Sequence, residues 1–148
     1  MSKTIVIKDI KNYSQKIVDG SLILTPKMTV VSEKEMKGLC FTNSNVMSCE
    51  ITNGESLITN KKKFRGILVD VWKSMPSQKI VQATTFNVKL GNQKGDKGYN
   101  WCSDVNMSFQ SKDANGTMRE IIHMVKKNKY NMELDIKLET NEIIRFSI

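Results

Sequence analysis

The triplet Asp135-Ile136-Lys137 sets a carboxylate and an ammonium two residues apart, on one side of any strand that holds it. That is the D-x-K end of a nuclease-type metal site, for which Asp104 or Asp113 would be the upstream carboxylate. The solvent side of an ordinary alternating strand looks the same. His123 is the single histidine; on a helix with Ile121, Ile122 and Val125 it falls on the opposite side, towards solvent or a neighbouring surface. No serine or cysteine lies near it in sequence to form a nucleophile pair. Cys40, Cys49 and Cys102 include no C-x-x-C pair, so reduced and mostly buried thiols are expected, with Cys102 the most reachable. The stretch GNQKGDKG lacks the G-x-x-x-x-G-K-[ST] pattern and opens no helix, so a phosphate-cradling loop is not expected. No catalytic residue, metal ligand or cofactor is assigned, and a metal-dependent nuclease is the one concrete enzyme alternative.

Phosphate binding is the chemistry for which the chain is better supplied. Its formal charge is +8, and residues 1–130 carry a net +10 while residues 131–148 carry a net −2. Of 23 basic side chains only Arg65, Arg119 and Arg145 are arginines. Lysine is a hydrated point charge without the fork that reads guanine edges, so a nucleic acid would be held with little sequence preference. The candidate phosphate contacts are Lys61, Lys62, Lys63 and Arg65, then Lys94 and Lys97, then Lys126, Lys127 and Lys129. Tyr99 and Trp101 in "DKGYNWCSD" sit beside Lys94 and Lys97, where loop aromatics either stack exposed bases or fold back onto the core. A plainer source of lysine exists as well: AT-rich coding supplies Lys, Asn and Ile, and lysine keeps a surface soluble.

The elements that must position these residues follow from periodicity and turn chemistry. KTIVI reads as a strand, Asp9 as the cap of a helix through Ile10, Tyr13 and Ile17 ended by Gly20, and SLILTP as a second strand. Ser32 and Glu35 have capping-box spacing ahead of a one- or two-turn helix. Asn53-Gly54 predicts a type I′ hairpin over about 46–59. Phe64, Ile67, Leu68, Val71, Trp72 and Met75 mark one continuous helix face ended by Pro76, with Lys61–Lys63 at its start, the wrong sign for the helix dipole. TTFNVKL and VNMSFQ alternate as strands around a loop, Thr117 and Glu120 form a second capping box, and Met132 to Leu138 alternates before a final strand IIRFSI. Hairpins separated by helices predict an α+β fold: a largely antiparallel sheet with two or three helices on one face, in a single domain over 1–148.

Two stretches, "KKKFRGILVDVWKSMPSQKIVQATTFNVKL" and "KGYNWCSDVNMSFQSKDANGTMREIIHMVKKNKYNMELDIKL", resemble a group of short proteins encoded by giant double-stranded DNA viruses of amoebae, the mimivirus relatives. The likeness covers about residues 60–140. It implies a viral protein made in the host cytoplasm, in the viral factory, with packaging in the virion among the expectations. It carries no activity and no functional residues.

At 39% hydrophobic and 26% charged residues, with no bilayer-length apolar run and no signal-peptide h-region, the chain reads as a globular intracellular protein without a membrane partner. The expected function is non-catalytic, non-specific nucleic-acid binding. The alternative is a structural protein that forms a homodimer or docks on another virion component, through an unprotected edge strand carrying Ile144, Phe146 and Ile148.

Overall fold

Asp19 and Gly20 both adopt positive φ, 51° and 77°, and this pair closes the first hairpin. It joins β1 (Tyr13–Val18) to β2 (Ser21–Pro26), with Val18 opposite Ser21. The computed structural model describes residues 13–93, 95 and 97–148. The strand expected at Lys3–Ile7, and Asp9 and Ile10 of the expected first helix, lie outside them. Residues 13–18 correct the helix reading: Gly20 is a turn corner rather than a helix end, and the turn chemistry overrides the spacing of Tyr13 and Ile17.

Short β3 (Met28–Val30) leads to α1 (Glu33–Lys37), which has the expected capping box: Ser32 Oγ accepts from Glu35 N and Glu35 Oε1 from Ser32 N, both at 3.1 Å. β4 (Asn45–Asn53) and β5 (Ser56–Thr59) form the expected hairpin. Its loop is Gly54-Glu55, one residue later than expected, and of the loop residues only Gly54 has a positive φ, the pattern of a type II′ turn.

α2 (Phe64–Lys73) stops before Pro76, which caps a helix absent from the sequence reading, α3 (Ser77–Ala83). The expected strand 84–90 shrinks to β6 (Val88–Leu90), because Thr84 and Thr85 turn their donors towards Glu120 instead. β7 (Tyr99–Cys102) is a strand where a loop was expected; a 3₁₀ turn at Ser103–Val105 and β8 (Met107–Gln110) follow. α4 (Ala114–Lys127) starts earlier than expected, with Asp113 as its cap accepting from Gly116 N at 2.7 Å, so Thr117 and Glu120 are interior residues rather than a capping box. β9 (Asn131–Lys137) and β10 (Ile143–Ser147) close the fold.

The strands make a five-stranded sheet in the order β3-β10-β9-β4-β5, a three-stranded sheet β6-β8-β7, and the β1-β2 pair. Among the described residues all pairings are antiparallel except β3 with β10, and with helices packed beside the sheets this is an α+β fold. The last strand is not an edge. β3 covers it along Ile143–Arg145, and Ile144 and Phe146 are buried in the core, which removes the expected unprotected edge.

Five of the six residues expected on the α2 face are buried, and Phe64 is half-buried. Trp72 lies at the centre, perpendicular to Phe109 and Phe86 with ring centroids 5.0 and 5.5 Å away. Burial on the other sheet is one-sided: Cys49, Ile51, Leu134, Ile136, Ile144 and Phe146 face the core, while Ser48, Glu50, Glu133, Asp135 and Arg145 occupy the open face.

Candidate nucleic-acid interface

The lysines before α2 do not act alike. Lys61 Nζ lies 2.8 Å from Asp70 Oδ1, while Asp70 Oδ2 accepts from Thr59 Oγ1 at 2.8 Å. Gly66 makes this route available, since a Cβ there would stand 3.1 Å from Lys61 Cδ. The hydrogen bond to Asp70 raises the Lys61 pKa. Lys61 therefore tethers the end of β5 to α2 rather than projecting freely. Lys62 and Lys63 are exposed and have no carboxylate partner among the described residues. Arg65 rests on the Phe109 ring, its Cζ 4.7 Å from the centroid, with Nη1 3.4 Å from Ser111 Oγ.

Trp101 and Tyr99, two apart on β7, point to the same side of the strand, and both are half-buried. Trp101 lines a groove of about 340 Å³ whose opposite wall is Lys61, Arg65, Gly66 and Val69. The ring of Tyr99 carries Lys89 Nζ 4.5 Å from its centroid. Lys97 is exposed just before the strand, and Lys94 lies outside the described residues.

A second cationic groove, of about 490 Å³, separates α1 from α4 and is lined by Glu33, Lys37, Arg119, His123, Lys126 and Lys127, with Ile122 as its apolar floor. Glu33 is the one carboxylate that lines it among the described residues. It lies 2.8 Å from Lys126 Nζ and 3.7 Å from Lys37 Nζ, and the Lys126 hydrogen bond lowers its pKa. Arg119 and Lys127 are exposed without a carboxylate partner among the described residues. Of the two expected settings for His123, solvent or a neighbouring surface, it takes the second: it is half-buried, with Nε2 2.8 Å from the Ala83 carbonyl oxygen. That contact needs the proton on Nε2.

Lys129 follows in an unusual conformation. Tyr130 N donates to Val125 O at 2.9 Å and Lys129 N to Lys126 O at 3.1 Å, the two bonds of a Schellman motif. The residue in its left-handed position is Lys129 itself, at φ 57°, where glycine is the usual occupant.

The basic clusters do not share one patch. The starts of α2 and α4 meet at Phe41, whose ring centroid is 6.4 Å from that of Phe64 and whose N donates to Asn115 Oδ1 at 2.7 Å. Their ends meet where Ser74 Oγ and Tyr130 Oη are 2.7 Å apart. The two helices thus run side by side in one direction, so Lys61–Arg65 and Lys126–Lys129 sit at opposite ends of a helical layer about 20 Å long.

The three carboxylates of the nuclease alternative are dispersed. Asp135 is bound bidentately by Arg145, at 2.8 and 2.9 Å, and the guanidinium holds its carboxyl below the usual range. Asp104 borders the Trp101 groove, and Asp113 caps α4. No three His, Cys, Asp or Glu side chains converge as a metal set among the described residues. The thiols are free, and their order of access reverses the sequence reading: Cys102 is buried and Cys40 exposed. Burial pushes the Cys49 thiol up to about 12, whereas hydrogen bonds to Thr42 lower that of Cys40.

Comparison with protein-family models, curated proteins and solved structures finds no match. Sequence reasoning missed Lys37 and Arg119. Arg119, His123 and Lys126 recur at helical spacing, a signal present in the sequence, but Lys37 joins them only through tertiary packing.

Proposed function

We propose that this chain is a non-catalytic protein that binds DNA or RNA through phosphate contacts without strong sequence preference. The observation that supports the reading best is the α1–α4 groove, where Lys37, Arg119, Lys126 and Lys127 surround one carboxylate. The acidic side chains Glu50, Glu133 and Asp135 lie on the open face of the five-stranded sheet, away from the core side that the helices occupy. Lysine predominance favours backbone over base contacts. The viral setting, in host cytoplasm or virion, is carried by the resemblance of residues 60–140 alone. No helix among the described residues is long and apolar enough to cross a membrane.

Fluorescence anisotropy with random-sequence oligonucleotides at 50 and 200 mM salt tests the reading. With three or four phosphates neutralised, duplex affinity should fall roughly 40- to 150-fold over that range. No binding at 50 mM salt sinks it.

A second reading, self-association or docking on another virion component, loses its expected basis with the burial of β10. A different observation favours it: the β1-β2 hairpin exposes Ile17, Leu22 and Ile23, and an isolated hairpin is marginal in water. Sedimentation of the parent and of Ile17→Lys at micromolar concentration separates the two readings. A parent that is monomeric at all concentrations removes the self-association form.

A further inference from the structure

We infer that the groove between α2 and β7 takes single-stranded nucleic acid, with a base stacked on Trp101 and an adjoining phosphate on Arg65. The inference rests on the nucleic-acid reading above and narrows its substrate class from any nucleic acid to unpaired strands.

The two tryptophans of the chain have opposite surroundings. Trp72 is fully buried at the aromatic centre, whereas Trp101 is half-buried on the edge strand of the three-stranded sheet and lines an open groove. A volume of about 340 Å³ is at the small end of ligand pockets, room for one base and its sugar rather than for a double helix. A duplex hides the faces of its bases in the stack, so an aromatic wall of this kind is useful only to a base already unpaired.

Charge sets the direction of the strand. Arg65 stands on the wall opposite Trp101, its guanidinium laid on the Phe109 ring and near Ser111 Oγ, with no carboxylate partner among the described residues. It keeps its charge for a phosphate and has already lost part of its freedom. Asp104 also lines the groove, where its charge acts on Lys61 and repels a phosphate, leaving Arg65 as the lining cation without a carboxylate partner among the described residues. The backbone therefore runs along the Arg65 side, past exposed Lys62 and Lys63, and the base turns inward to Trp101.

The test is a fluorescence titration with a single-stranded 12-mer and with the same sequence as a duplex, at low salt. Trp72 is shielded, so quenching reports Trp101. The expected result is quenching by the single strand, tighter binding of it than of the duplex, and a loss of roughly tenfold or more in single-strand affinity for Trp101→Leu with duplex affinity unchanged. Trp101→Phe, which keeps an aromatic face, should recover most of that loss. Arg65→Ala, at an exposed position, should weaken single-strand binding even if Trp101→Leu folds poorly. If Arg65→Ala and Trp101→Leu both bind the strand as the parent does and no quenching occurs, the groove is not the site, although the nucleic-acid reading stands. Preference for the duplex overturns the inference in the same way, and absence of binding to either form overturns both.

Discussion

Replacing Lys129 by glycine should make the protein more stable and a poorer nucleic-acid binder. Lys129 occupies the left-handed position of the Schellman motif that ends α4, at φ 57°. A side chain with a Cβ pays roughly 1–2 kcal/mol for that conformation, and glycine removes the penalty. Glycine also has more freedom to lose on folding, which takes back roughly 0.5–1 kcal/mol. The difference is a gain of about 0.5–1 kcal/mol, or roughly 1–4 °C in melting temperature for a domain of this size. Urea denaturation with an unchanged m-value measures it. A residue retained against local preference is a reason to look for function, and the second half of the prediction follows. If the ammonium contacts a phosphate, Lys129→Gly should reduce the steepness of the salt dependence by about one. A variant no more stable than the parent refutes the left-handed penalty at this site. Unchanged binding removes Lys129 from the interface.

Three further outcomes follow from the geometry. Glu120 is fully buried and accepts from Thr84 Oγ1 at 2.7 Å, from Thr85 N at 3.0 Å and from Thr85 Oγ1; Glu120→Ala leaves these donors without their carboxylate and should cost ~3–4 kcal/mol, or roughly 6–16 °C, a loss below ~1 kcal/mol contradicting its role as the anchor of α4 to the α3–β6 connection. Under native conditions a thiol reagent should modify Cys40 first, and Cys49 and Cys102 only on unfolding; faster labelling at Cys102, followed by peptide mass spectrometry, would overturn the burial described. Because Arg145 depresses the Asp135 pKa below the ordinary aspartate value of 3.8, the stability it contributes is complete above about pH 4 and is lost as the pH falls through the lowered pKa, so Asp135→Asn should destabilise at pH 7 and converge with the parent in strong acid.

Where local signals and packing agreed, the fold was legible. The capping box at Ser32 and Glu35 forms as expected, and the helix face from Ile67 to Met75 and the alternation of β9 put their expected residues inside. Other elements depended on information that spacing does not hold. Glu120 sits at capping-box distance from Thr117, yet its carboxylate is taken by two threonines more than thirty residues earlier in the chain, and Asp113 caps the helix instead. The last strand looked like an edge because β3, the three-residue strand that covers it, comes over a hundred residues before it. The same limit applies to the candidate site. Clusters of lysine were visible one by one, but which are tied to carboxylates, as Lys61 and Lys126 are, and which have no carboxylate partner among the described residues, as with Lys62 and Lys127, is a tertiary property. Trp101 was visible as an aromatic beside lysines, whereas its place opposite Arg65 depends on how α2 packs against β7.

The most direct test of phosphate binding at the helical layer is the slope of log affinity against log salt for a random-sequence oligonucleotide, compared between the parent and Arg119→Glu/Lys127→Glu. Both residues are exposed and unpaired among the described residues, so the fold should survive the exchange. Phosphate binding through the α1–α4 groove predicts a steep parent slope, a slope shallower by about two in the variant, and equal losses for every sequence tried. A variant with the parent's affinity and slope would contradict it.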